Sequence, residues 1–361
     1  MREGTRKAGG AVYGGRCTAI DLFSGCGGLT LGLKQAGFDV VGAVEIDALA
    51  VETYRANHPE VQVWHNDVKA VSPRAVMRAL GIKKGELDLL AGCPPCQGFS
   101  RVRTRNGRRR PRDKRNDLLL EFVRFVEAMV PKAVMMENVP RLAGTRLFRE
   151  FRSRLRKLGY EGGHRVLNAA DYAVPQRRRR LIYLAGLGGG IAFAEPSAKR
   201  VTVRDAIAHL PKPGASGDPV HDFPENRTAK VAELIRSIPK DGGSRSDLGE
   251  ERQLKCHRNC DGFKDIYGRM TWDEVAPTIT GGCFNPSKGR FLHPTENRAI
   301  TMREAALLQG FPRSYKFPNA GSKTAVAEMI GNALPPPFIA RLARPALLRG
   351  GTEGTRGRAR A

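Results

Sequence analysis

Two hydrophobic periods alternate along the first half of the chain. Short apolar runs at 18–23, 40–45, 61–64, 87–91 and 133–136 read as strands, and between them apolar residues recur every three or four positions, as on one helix face. The helical stretches are 28–35, 48–57, 73–80, 116–129 and 147–158; within 116–129, Leu119, Phe122, Val126 and Met129 fall at helical spacing. A last apolar run at 181–185 completes the set. The alternation predicts an α/β fold with a parallel, doubly wound sheet. Beyond about 186 the texture changes. Gly188 to Gly190 mark a linker, and as far as 294 the chain is rich in Pro, Gly, Asp and charge, which predicts a second, irregular domain. Helical spacing returns at 322–334 and 338–348, on either side of Pro335, Pro336 and Pro337.

Composition narrows the partners. The 361 residues hold 61 Lys+Arg against 36 Asp+Glu, a formal charge of +25 with a pI near 10.3. That excess suits a polyanion and argues against an enzyme of small neutral metabolites. No run of about 18 apolar residues occurs, and residues 1–16 lack the apolar core of a signal peptide, so a cytoplasmic protein without a membrane partner is expected. Seven cysteines in a reducing compartment point to chemistry or metal binding, not a disulfide framework. The charge is uneven: residues 17–100 hold seven basic and nine acidic side chains, and the 261 residues beyond Ser100 carry +24. Its densest stretch is Arg101 to Arg115, nine basic residues against Asp113 alone, including Arg101, Arg103, Arg105, Arg108, Arg109 and Arg110. The Arg/Gly tail from Arg349 is expected to be disordered.

Two segments carry candidate chemistry. After the first strand stands Asp21-Leu22-Phe23-Ser24-Gly25-Cys26-Gly27-Gly28, where glycines admit close backbone approach and a helix N-terminus offers free N–H groups. Glu45 ends the next strand, where an acid can accept hydrogen bonds from ribose hydroxyls, and Asp67 follows the third strand. Thr30 replaces the third glycine of the dinucleotide pattern, which favours another adenosine cofactor, S-adenosylmethionine, over NAD. The fourth strand runs out into Gly92-Cys93-Pro94-Pro95-Cys96-Gln97-Gly98. On the residues alone this loop reads as a redox pair, as half a zinc site needing Cys256, His257, Cys260 or Cys283, or as a nucleophile at Cys96.

Six segments in order resemble the motifs of DNA cytosine-5 methyltransferases of the bacterial restriction–modification type: Asp21 to Gly28, Pro95-Cys96-Gln97, Glu137-Asn138-Val139, Gln176 to Arg180, Arg298 to Pro312, and Gly331-Asn332. The resemblance spans roughly 19–336. It implies a Rossmann-like S-adenosylmethionine-dependent domain made of 1–186 plus 320–361, with the 322–334 helix beside the first strand. Residues 187–319 would then be a target-recognition domain and hinge. It implies Cys96 as the nucleophile toward carbon 6 of cytosine, Glu137 as the acid at the Watson–Crick edge, Arg180 as the contact to the cytosine oxygen and Arg178 in support. On an extended segment Arg178 and Arg180 share one face, with Arg177 and Arg179 on the other. For the cofactor it implies Phe23, Gly25, Gly27, Glu45, Ile46, Asp67, Val68, Pro95, Leu118 and Asn332.

The implied substrate is a cytosine flipped from a specific double-stranded DNA sequence, the arginine loop closing on its phosphates. The implied setting is a monomer in the bacterial cytoplasm, associated with the nucleoid, paired with a restriction endonuclease. In the small domain, 267–272 and 276–280 resemble recurrent segments, Lys288, Arg290 and His293 are expected to add basic reach, and Arg303 and Glu304 are expected to be structural. No metal is expected. The alternatives are an RNA (tRNA) cytosine-5 methyltransferase, a catalytically silent DNA-binding protein, and a Cys93–Cys96 redox protein.

Overall fold

In the computed structural model, residues 17–95, 118–249, 265–318 and 321–356 are described, with side chains as far as 347. They build one seven-stranded sheet, ordered β3-β2-β1-β4-β5-β7-β6. The strands are β1 (Thr18–Leu22), β2 (Asp39–Glu45), β3 (Gln62–His65), β4 (Leu89–Gly92), β5 (Ala133–Asn138), β6 (Tyr160–Asn168) and β7 (Arg179–Leu187). Every residue of β1, β4 and β5 is buried, as befits strands covered on both faces.

Helices α1 (Gly28–Ala36), α2 (Ala48–Asn57), α3 (Pro73–Leu80), α4 (Leu118–Met129) and α5 (Arg146–Lys157) connect the strands. Phe122, Phe125, Phe148 and Phe151 of α4 and α5 fill one side of the sheet with Val76 and Leu80 of α3. Leu29, Leu33 and Tyr54 of α1 and α2 fill the other. Chain order reverses between β1 and β4, so the crevice beyond their carboxyl ends is the expected ligand position.

Several expectations are corrected. The sheet is not wholly parallel: β7 runs antiparallel to both β5 and β6. Strand β6 went unpredicted because its sequence, YEGGHRVLN, mixes charge with two glycines; it lies at the sheet edge and buries only Tyr160 fully. Gly162 is needed there, since a Cβ would sit 2.2 Å from the Leu184 carbonyl oxygen.

The remaining helices are α6 (Val203–Ile207), α7 (Ala229–Ser237), α8 (Met302–Leu308), α9 (Lys323–Asn332) and α10 (Pro336–Arg356). The three prolines do not separate two helices by a loop; Pro336 and Pro337 open α10, where proline's missing N–H and fixed φ are tolerated. Helix α10 also continues to Arg356, so the expected disorder from Arg349 does not hold over 349–356, and 357–361 lie outside the described residues. Helix α10 is laid along α1. Gly32 permits this contact: a Cβ there would meet Ile339 and the Pro336 carbonyl at 2.6 Å. Helix α9 packs instead with α8 in a third core containing Met302, Phe311, Tyr315 and Ile330, to which Val203, Met270 and Ile279 also belong.

Candidate active site

A cavity of about 960 Å³ opens at the reversal point, with walls from the segments that follow β1, β2, β3, β4 and β5. The turn after β1 is shaped by three left-handed residues, Phe23 (φ 62°), Gly25 (φ 53°) and Gly27 (φ 96°). For Phe23, which carries a Cβ, that conformation stores strain of the kind that clusters at ligand clamps. Glu45, at the end of β2, accepts N–H hydrogen bonds from Gly25 (2.7 Å), Ile46 and Asp47 (both 2.9 Å). The carboxylate is thereby fixed where the glycine turn meets the second strand. Beside it Ile46 is 62% and Leu49 40% exposed, forming an apolar ledge in the cavity wall. Asp67 stands on the far side of the ledge, with Oδ1 accepting the Lys69 N–H at 3.0 Å.

The other end of the cavity is cationic. Glu137 ends β5 and pairs with Arg180 at 2.8 Å, both side chains being largely buried. Burial raises the Glu137 carboxyl above the ordinary glutamate value, against the opposing pull of Arg180 and Arg178. A hydrogen bond from the Cys93 thiol also reaches Glu137. Burial pushes that thiol well above the ordinary cysteine value, and Glu137 reinforces the shift. Arg177 and Arg179 are exposed whereas Arg178 is buried, the alternation of an extended segment. Arg178 donates to the carbonyls of Ile279 and Gly331, each at 2.9 Å, while its buried Nε–H has no partner in the protein. These bonds join the 276–281 segment and the end of α9 to β7. Asn138 donates to the Pro94 carbonyl at 2.9 Å, tying the approach to Cys96 onto the end of β5.

Nine of the ten expected cofactor residues line this one cavity: Phe23, Gly25, Glu45, Ile46, Asp67, Val68, Pro95, Leu118 and Asn332. Glu137, Arg178 and Arg180 line it as well. Residues 17–346 match the protein family described as C-5 cytosine-specific DNA methylase. The chain belongs to that family. It is 38% identical over 352 residues to the type II methyltransferase M1.HphI of Haemophilus parahaemolyticus, covering 95% of this chain and 89% of that protein. It is 37% identical over 333 residues to the type II methylase M.HgiDII of Herpetosiphon aurantiacus, covering 88% and 91%. A solved structure of a prophage-encoded DNA modification methyltransferase from E. coli is similar, with a TM-score of 0.71, 25% identity, and coverage of 93% of this chain and 99% of that one. The S. pombe Dnmt2 methyltransferase shares the fold, at a TM-score of 0.59 and 21% identity over 93% and 99% of the two chains.

The methylase is an S-adenosylmethionine-dependent enzyme, and its cavity fits that donor. Glu45 keeps its carboxylate at the cavity wall for a ribose diol, the Ile46–Leu49 ledge offers a surface for a flat base, and Asp67 offers an acceptor at the ledge's rim. One expected residue lies elsewhere. Gly27 is not in the wall; a Cβ there would lie 2.7 Å from His58 and Tyr315, behind the turn. Cys96 and the arginines of 101–115 lie outside the described residues, as do Cys256, His257 and Cys260. Cys283 is buried in the third core.

Leu49, Thr278 to Gly281 and Glu328 also line the methylase cavity and were not predicted. Leu49 had a local signal, four residues after Glu45 on the opening turn of α2; the others arrive by tertiary docking. The 276–280 segment is held by two bonds that it donates, Ile279 N–H to Gln176 Oε1 at 3.0 Å and the Thr278 hydroxyl to the Arg177 carbonyl at 2.6 Å.

Two residues expected to reach DNA are turned inward. Arg290 donates to the carbonyls of Gly242 and Arg269 and pairs with Asp265. His293 is buried, its Nδ1 accepts N–H bonds from Thr295 and Glu296, and burial lowers its pKa to about 4. Lys288 is exposed. Within 267–272, Arg269 is completely buried, donating to the carbonyls of Ile235, Ile238 and His293, and it holds α7 to the rest of this region. Glu304 is structural: it closes a capping box with Thr301 and takes a bidentate pair from Arg298 at 2.7 and 2.8 Å. Arg303 binds Asp218.

Proposed function

We propose that this methylase converts cytosine to 5-methylcytosine in double-stranded DNA, through a covalent adduct between Cys96 and carbon 6 of a base flipped out of the helix. It would serve as the protecting half of a type II restriction–modification pair. The observation that carries the reading is the polarity of the single cavity. Glu45, Ile46 and Asp67 provide an adenosine end, Glu137 with Arg180 provides an acid–guanidinium end, and Pro95, next to Cys96, lies in the same wall.

Carbon 5 of cytosine is a weak nucleophile because the ring is aromatic and electron-poor. A thiolate adding to carbon 6 makes carbon 5 enamine-like. The electron pair moves toward nitrogen 3 and the carbonyl oxygen, where Glu137, its proton affinity raised by burial, gives a proton to nitrogen 3 as charge develops there. Arg180 faces the oxygen, with Arg178 behind it. S-Adenosylmethionine supplies an electrophilic methyl group when bound, held by Glu45, Asp67 and the glycine turn. Carbon 5 takes that methyl while the donor sulfur keeps the bonding pair; water removes the carbon 5 proton, the Cys96 thiolate leaves as the carbon 5–carbon 6 double bond re-forms, and nitrogen 3 returns its proton to Glu137. Cys93 does not suit the nucleophile's part: its thiol is held protonated beside Glu137. Base extrusion costs a few kcal/mol, and the arginines of 101–115 offset it by binding phosphates around the opened duplex.

Nucleoside analysis after incubation with radiolabelled donor and duplex DNA tests the assignment. Label is expected in 5-methyldeoxycytidine, with Cys96→Ser inactive and Glu137→Gln slower by about 10²-fold or more in kcat. Label in RNA alone, or on an exocyclic nitrogen, would sink it.

A further inference from the structure

The back of the glycine turn carries a device that the reaction described above does not use. Tyr315 follows α8 in sequence by seven residues, lies 289 residues from Cys26, and is buried against Phe311 and Phe317. Its hydroxyl donates to the Cys26 carbonyl, in the middle of the turn between Gly25 and Gly27. His58, at the end of α2, places Nε2 3.2 Å from the same hydroxyl and Nδ1 2.9 Å from Lys34 Nζ.

The donors fix the direction of this chain. A lysine ammonium has no acceptor, so Nδ1 of His58 accepts and Nε2 carries the hydrogen that the Tyr315 oxygen receives. The tyrosine hydrogen is then committed to Cys26. The lowered pKa of His58, about 4, agrees with a neutral ring. Both rings also occupy the space a Cβ of Gly27 would need, so the φ of 96° at Gly27 and the contacts behind it form one unit. On the front of the turn, Gly25 N–H meets Glu45. The peptide between Cys26 and Gly27 is therefore pinned on one side while Gly25 presents its wall to the cavity on the other.

We propose that Tyr315 is a positioning residue for the cofactor: it reaches the glycine turn from the α8 region and fixes the peptide plane on which the cavity wall depends. The proposal rests on the placement of S-adenosylmethionine in this cavity. Tyr315 is in turn held by Arg303, which donates to its backbone carbonyl at 2.9 Å and pairs with Asp218. The cofactor turn is thus braced by Asp218, Arg303 and Tyr315, all from the 187–319 stretch.

The test is Tyr315→Phe, which keeps the ring and removes only the hydroxyl. KM and Kd for S-adenosylmethionine should each rise about three- to tenfold, the range of one neutral hydrogen bond removed, with kcat at saturating cofactor within about twofold of wild type. Tyr172→Phe is the control: it removes another tyrosine hydroxyl donating to a carbonyl, that of Ala194 at 3.2 Å, away from the cavity, and should leave both constants unchanged. His58→Asn leaves Tyr315 in place but shortens the relay, and should move KM in the same direction. Glu45→Ala separates the two levels. Unchanged KM in Tyr315→Phe alongside a raised KM in Glu45→Ala overturns the positioning role alone; unchanged values in both overturn the cofactor placement as well. A fall in kcat without a change in KM would also overturn the proposal.

Discussion

Glu137 stands between two opposed influences, burial that raises its pKa and two guanidiniums that lower it, and burial is the larger. A carboxyl in that balance takes up a proton more readily than an exposed glutamate and still has Arg180 to steady the charge that develops on the base. Asp21, beneath the same crevice, has no ion-pair partner among the described residues. It accepts the Thr30 hydroxyl at 2.7 Å, leaves Oδ1 unpartnered, and its pKa rises from 3.8 to about 8 through burial. The sign follows from linkage. Between these two values the folded chain holds the proton that the unfolded chain has released, so stability falls as pH rises through the window and levels off above about 8. Asp21→Asn retains an acceptor for Thr30 and removes the titration. In urea unfolding its midpoint should gain on the wild type steadily from about pH 5 to 8, and a gap constant across that range would contradict the assignment. Glu45 and Glu137 were legible from sequence because each is an acid at the end of an apolar run, where a strand leaves the sheet; Arg178 and Arg180, at the entry to β7, were legible through the motif resemblance. Arg290 and His293 were not: the carbonyls that turn Arg290 inward belong to Gly242 and Arg269, distant in sequence, and His293 is buried by packing although its N–H partners, Thr295 and Glu296, are local.

At the scale of elements, periodicity located β1 to β5 and the helices between them, because strands buried on both faces and helices with one apolar face leave distinct patterns. It missed β6, whose edge position relaxes the need for apolar residues, and it could not tell that β7 enters antiparallel. Nor does a proline run say whether it breaks a helix or starts one, as it does in α10. The brace around α8 offers a direct energetic test. Glu304 is fully buried and held below the ordinary glutamate pKa chiefly by its bonds to Arg298, against the cost of burial. Glu304→Gln leaves Arg298 with a buried charge lacking its main partner and should cost about 3–5 kcal/mol. Urea denaturation measures this; a destabilisation below about 1 kcal/mol would place the pair among weak, solvent-screened contacts.

For the whole molecule, charge and architecture divide the labour. The first four strands and the turns that follow β1, β2 and β3 lie in a stretch of nearly balanced charge, 17–95, whereas nine basic residues follow within 101–115, shortly after Cys96. If that loop binds phosphates around the extruded base, replacing Arg108, Arg109 and Arg110 by Ala should reduce the slope of log K against log salt by about 0.9 for each phosphate no longer neutralised, roughly 2.7 in all. An unchanged slope would move the DNA grip elsewhere on the chain. The 276–281 segment meanwhile reaches the cavity, and Tyr315 the back of its glycine turn, from beyond the large sheet, so the sheet and the later part of the chain share one frame. The central claim is that Cys96 forms a bond to carbon 6 of cytosine, and a duplex carrying 5-fluorocytosine at the target position tests it most directly, since fluorine blocks the final loss of the carbon 5 proton. With S-adenosylmethionine present, the wild type should form a denaturant-stable protein–DNA adduct whose cross-linked peptide contains Cys96, and Cys96→Ser should form none. An active enzyme that yields no adduct, or an adduct that persists in Cys96→Ser, would contradict it.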